Sequence, residues 1–249
     1  MADRDRPGIG DERPPGARDE RRPGTRDERP PGIDDERPPG TRDEASIGLR
    51  LHEVATRFGA YRWVERRLFE VTGAWAAAPG LPDEAQVFCF EVSAQHAWHA
   101  ELWEARLPAL AGVDRERLTR PLGPTVEPLL ERLSPEAFDG TDEAAGRRFL
   151  VGLARVVLPL LVVSYRGLGR RLVPVADGPA IRALTLVLRD EEEELAVLES
   201  MVSRLLAAPD VAQEMAEWIR ELSEPVVQGG LQEGEHDGLL PWTQGIAAW

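Results

Sequence analysis

Two carboxylates stand where apolar side chains belong. Glu65 falls within the spacing Val54, Phe58, Tyr61, Leu68, Thr72, and Glu191 falls within Leu184, Val187, Leu188, Leu195, Leu198. At about 100° of rotation per helical residue, Glu65 lies roughly 40° from Tyr61 and Glu191 roughly 20° from Leu184. Both therefore point with their apolar neighbours. Glu194 lies about 80° from Leu184, at the margin of its stripe, whereas Glu70 and Glu193 lie about 180° away and are expected to face water. A buried ionised carboxylate requires a cation, a hydrogen-bonding partner or a proton. Two of them at one height inside a helical protein suit a carboxylate-bridged metal pair, because iron and manganese favour hard oxygen ligands. The alternative is an ion pair inside the protein, for which Arg155, in the middle of an apolar stretch, is the candidate.

The segment FEVSAQHAWHAELWEARLPAL, residues 90–110, adds further donors. With Val87 ahead of it, Ala94, Trp98 and Ala105 form one stripe, bordered by Glu91 and Glu101. Phe88, Val92, Trp103 and Leu107 form a second, with His96 and His99 on that side. This helix is expected to be buried on two faces. By face, Glu91 with Gln95 is the stronger ligand candidate.

These residues need long helices to hold them. The periodicity predicts a first helix over Leu51–Ala78, stopped by the PGLP link at 79–82, and a second from Asp83 to about Leu110. Asp83 and Glu84 fall in its first turn, favourable for the helix dipole. Residues 111–141 hold four prolines and predict a long connection with short helical pieces. A third helix is expected from about Thr141 to Leu172. It is apolar nearly all round, with a kink at Pro159. A fourth opens at Asp177-Gly178-Pro179, with Asp177 as N-cap, and runs to about Leu206. A short fifth covers Asp210–Leu222, and an irregular tail with Trp242 and Trp249 covers 223–249. No strand pattern appears. Short links make helices one and two antiparallel, and likewise three and four. The long connection lets helix three run parallel to helix two. Glu65 and Glu191 then both reach mid-height.

Composition narrows the function. The chain has 249 residues, 30 basic and 44 acidic, and a formal charge of −14. All the basic residues are Arg. The acidic balance argues against nucleic acid as partner. One cysteine, Cys89, excludes an internal disulfide and a cysteine-only zinc site. No apolar run reaches the roughly 18–20 residues of a membrane span, the N-terminus is too charged for a secretory signal, and a cytoplasmic location is expected. Residues 1–46 repeat an octad (GIGDERPP, GARDERRP, GTRDERPP, GIDDERPP) with almost nothing apolar to bury, so a disordered arm is expected there. Candidate partners are a second copy of the chain and a protein bound by this arm. No phosphate loop and no nucleophile elbow is present, so no catalytic residue is assigned.

Residues 47–222 resemble the ferritin-like superfamily, and in particular a bacterial branch with a HAWHAELW stretch on helix two. The resemblance implies an all-α, four-helix bundle with its long crossover between helices two and three. It implies a non-haem iron or manganese site at mid-bundle, used for oxidation or metal handling. It carries the first metal-ligand position onto Glu65 and the Glu-x-x-His of helix four onto Glu191 and Glu194, with Glu where His is usual. On helix two, His96 and His99 stand close to the family's Glu-x-x-His. The sequence departs on helix three, which has no acid from Arg147 to Arg171. The ligand set is therefore Glu65, Glu91, His96, His99, Glu191 and Glu194. The rival reading is a metal-free helical scaffold in which the core acids pair with Arg155.

Overall fold

The computed structural model of the chain describes residues 49–109 and 114–232. Among them every regular element is helical. In chain order these are α1 (Leu51–Ala76), α2 (Asp83–Glu104), α3 (Arg115–Leu118), α4 (Val126–Glu131), a 3-10 turn at Pro135–Ala137, α5 (Glu143–Gly169), α6 (Pro174–Leu205) and α7 (Pro209–Gln232). The repeat arm, His236, Trp242 and Trp249 lie outside the described residues.

Local chemistry sets the helix ends. The carboxylate of Glu53 accepts the backbone N–H of Arg50 at 2.6 Å where α1 begins. Asp142 caps α5 by accepting the N–H of Ala145 at 2.9 Å. Three expectations need correction. α2 ends at Glu104, a turn and more before Leu110. α6 has one short turn, from Pro174, ahead of the start expected at Asp177, and two helices join across a kink there. Asp177 is a non-helical joint inside it (φ −109°, ψ 16°), and its carboxylate reaches back to the N–H of Val173 at 2.8 Å. α7 is a long helix that continues through Pro225 to Gln232, where an irregular tail from 223 was expected. Leu222 and Val226, on either side of that proline, are both buried, and their packing offsets the hydrogen bond that proline cannot make.

α5 is the apolar rod. It is 27 residues long, enough by length and composition to cross a membrane, but most of it is buried within the fold. That corrects the expectation that no apolar run reaches membrane length. Its ladder slips into a π-helical turn at Leu153–Val157. Pro159, two residues on, has no N–H for the carbonyl of Arg155, and the ladder is rewound just ahead of it.

Side-chain contacts give the helix directions. Arg204 on α6 meets Glu84 on α2 at 2.8 Å, while His99 on α2 meets Glu191 on α6 at 3.1 Å, so α2 and α6 run antiparallel. Tyr61 on α1 hydrogen-bonds Ser164 on α5, and Trp75 stacks on Phe149 with ring centres 4.9 Å apart, so α1 and α5 are also antiparallel. The described part of the connection from α2 to α5 follows α1 from Gly59 to its C-terminal end. It passes Gly59 at Leu118, gives its Leu133 carbonyl to the Trp75 indole at 2.7 Å, and reaches Gly80 at Thr141 and Asp142. α2 and α5 therefore run the same way.

Gly59 marks how tightly this connection lies. A Cβ there would stand 2.1 Å from the Leu118 carbonyl oxygen, a backbone atom that cannot swing aside. Gly59→Ala is expected to cost about 1–3 kcal/mol by overpacking, read as a lowered midpoint in urea unfolding.

Candidate metal centre

Three helices deliver five ionisable side chains to one dry spot. On α1 the buried row Phe58, Tyr61, Val64, Leu68 continues through Glu65, which is 0% exposed. On α2 the buried row is Phe88, Val92, His96, His99, Trp103, and both histidines are 0% exposed. On α6 Glu191 is 0% exposed and Glu194 is 4% exposed, in line with Leu184, Val187 and Leu198.

Four donors close into a ring. His96 Nδ1 stands 2.8 Å from Glu65 Oε2 and 3.5 Å from Glu191 Oε1. His99 Nδ1 stands 3.1 Å from the same Glu191 oxygen and 3.6 Å from the same Glu65 oxygen. One ligand atom from each of Glu65, His96, His99 and Glu191 lies within 4.8 Å of the others. Donors that share one first-row ion at about 2.0–2.2 Å stand roughly 3–3.5 Å apart, so this spacing suits a common ion.

The outward atoms of these groups are also held. Glu65 Oε1 accepts a short hydrogen bond from the Tyr165 hydroxyl, and that hydroxyl receives the Trp103 indole N–H at 3.2 Å. His99 Nε2 faces Asp190 Oδ2 at 3.3 Å. His96 Nε2 faces Glu194 Oε1 at 3.4 Å, but the pair is too poorly aligned to hydrogen-bond. An imidazole with one nitrogen inward and a carboxylate behind the other is the usual outer arrangement of a metal-binding histidine. Four buried atoms of this cluster lack a hydrogen bond among the described residues: His96 Nε2, Glu191 Oε2 and both oxygens of Glu194. Orphaned charged groups in a dry interior are costly, and a cation is one remedy.

The electrostatics are those of a crowded charge cluster. Burial pushes the Glu65 carboxyl upward, but the hydrogen bonds and charges of His96 and His99 override it and hold it down at about 2. Burial likewise disfavours charged histidine. It is overcome for His96 by Glu194 and Glu191, which hold it protonated well above the ordinary imidazole range. For His99 the hydrogen bonds of Glu191 and Glu65 raise it to about 10. Glu194 is pushed up by burial, with His96 opposing and the charges of Glu191 and Glu65 adding to the rise. Tyr165 is pushed well above the phenol range by burial and by the charges of Glu65 and Glu191.

Of the six candidate residues, Glu65, His96, His99, Glu191 and Glu194 are brought together. Glu91 is not: it is exposed. It lies roughly 130° round α2 from the middle of the buried row. The two-faced burial expected for α2 also fails, since Val87 is 58% and Trp98 42% exposed. Arg155 is not the partner of the core acids. Its guanidinium lies 2.8 Å from Glu199, and the acids pair with histidines instead. Asp190 carried no signal in the sequence beyond its place in an acidic run. Tyr165 reads there either as packing or as a hydrogen-bond partner of a core carboxylate, and the structure gives it the second role. Tyr165 occupies the place on α5 where a helix-three acid was sought.

No protein-family model matches the sequence, and no curated protein matches it either.

Proposed function

We propose that Glu65, His96, His99 and Glu191 hold one iron or manganese ion within a ferritin-like bundle of α1, α2, α5 and α6. The observation that carries this reading is the closed ring of two imidazole nitrogens and two carboxylate oxygens in a fully buried interior. The long connection that follows α1 from Gly59 onward, with α2 and α5 parallel, supports the bundle topology. A bound ion would supply redox or Lewis-acid chemistry, for oxidation of a substrate or for handling of the metal itself. The chain's own residues would orient it. Tyr165 fixes the Glu65 carboxylate, Asp190 fixes the His99 ring, and Glu194 offers a further carboxylate beside His96. The aromatic wall of Tyr61, Trp103 and Tyr165 keeps water out.

A second reading has its own support. Protonated His96 and His99 neutralise Glu65 and Glu191 directly, so the bundle holds together as a metal-free scaffold. Elemental analysis after expression in iron- and manganese-supplemented medium separates the two. The first reading expects about one ion per chain, reduced to background in Glu65→Ala and in Glu191→Ala, with Glu91→Ala unchanged. A wild-type chain that is folded and metal-free, and stays so on adding ferrous or manganous ion, supports the scaffold.

A further inference from the structure

A second site lies further along α6, where Leu195 and Glu199 face α5 and α7. A cavity of about 580 Å³ opens between α5, α6 and α7, walled by Ala154, Pro159, Leu195 and Ile219, with Arg155 and Glu199 as its charged pair. That volume is in the range of small-molecule sites, which are mostly apolar with a few polar groups that fix orientation. The π-helical turn at Leu153–Val157 forms part of the wall and places Ala154 and Arg155 on it. Such turns interrupt helices most often at functional sites. Both charged side chains are only about 30% exposed, although a surface ion pair of this kind would gain little from being drawn inward.

We infer that this cavity binds a small amphiphilic carboxylate, with its apolar body between the three helices and its head group on Arg155. Arg155 presents a planar fork of five N–H donors, and its closest approach to Glu199 is Nη2 to Oε2 at 2.8 Å. The remaining donors suit a carboxylate, which guanidinium binds in two-point fashion. The pair is also asymmetric. Burial raises the Glu199 carboxyl above its ordinary range, against the pull of Arg155. An incoming anion can therefore be met by a proton on Glu199. An incoming amine finds no such relief, because guanidinium does not give up its proton. This inference stands apart from the metal centre, and loss of metal from the chain leaves it unaffected.

Calorimetric titration of the full chain with decanoate, kept below its micellar concentration, tests it against decylamine and decan-1-ol. One saturable decanoate site is expected, with decylamine weaker. Arg155→Met is expected to weaken decanoate about tenfold or more, the effect of losing a charged hydrogen-bonding pair, and to leave decan-1-ol unchanged. Glu199→Gln is expected to bind decanoate at least as well as wild type. Ala216→Trp, at the exposed rim of the cavity on α7, is expected to block all binding. No saturable decanoate binding overturns the inference, as does tighter binding of decylamine or full affinity in Arg155→Met. Should Arg155→Met fail to fold by circular dichroism, Ala216→Trp decides alone: blocked binding upholds the site and undiminished binding removes it.

Discussion

Glu65→Ala is expected to lower the unfolding free energy of the metal-free chain by about 3–5 kcal/mol, the cost of breaking a buried ion pair by removing one partner. The substitution leaves His96 and His99 without their α1 counter-charge and the Tyr165 hydroxyl without its acceptor. It also opens a void at the centre of the molecule. Urea unfolding in the presence of a chelator measures it, and a loss under about 1 kcal/mol would show that the histidines are neutral and the pair is weak. The same charges set a pH window. His99 is raised from 6.5 to about 10, so its contribution is fully present below pH 6.5 and is lost as pH rises through 10. His96 acts in the same direction. Glu65 is lowered from 4.5 to about 2, so its contribution is present above pH 4.5 and is lost as pH falls through 2. The two overlap between pH 4.5 and 6.5. Metal-free wild type should be most stable there and less stable at pH 9, and Glu65→Ala should flatten the curve.

Metal binding at neutral pH is expected to release about two protons per ion, because a metal-bound imidazole must be neutral while both histidines are charged in the metal-free cluster. Apparent affinity for manganous ion should then rise about 100-fold per pH unit from pH 7 to 8. The sign follows from the raised values of His96 and His99: a higher pH removes the protons that compete with the ion. Calorimetry in two buffers of different ionisation enthalpy counts the protons directly. A count near zero would falsify the protonated cluster and favour a site preformed with neutral rings.

The places of Glu65 and Glu191 were legible because helical phase is a local property. Each acid sits a few residues from apolar neighbours on the same rod, and a step of about 100° per residue accumulates little error over one or two turns. α2 was ambiguous for a reason of the same kind. Val87 and Trp98 on one side and Phe88 and Trp103 on the other make two apolar faces, and periodicity alone does not say which one meets the interior. Packing chose the side that carries His96 and His99 and left Val87 and Trp98 at the surface. Arg155 was misjudged for want of any pattern. α5 is apolar nearly all round, so periodicity assigns its lone mid-helix arginine no face, and packing sends it to Glu199.

The helices, the apolar face of most of them and the acids buried on α1 and α6 can be read along the chain, because they depend on neighbours within a few turns of one segment. It took the packed molecule to set His96 and His99 between those acids, Asp190 and Tyr165 behind them, and Arg155 in a different cavity. Those facts depend on how separate rods are rotated and set in height against one another. That rotation comes from the packing of whole faces, and no single segment of the chain contains it.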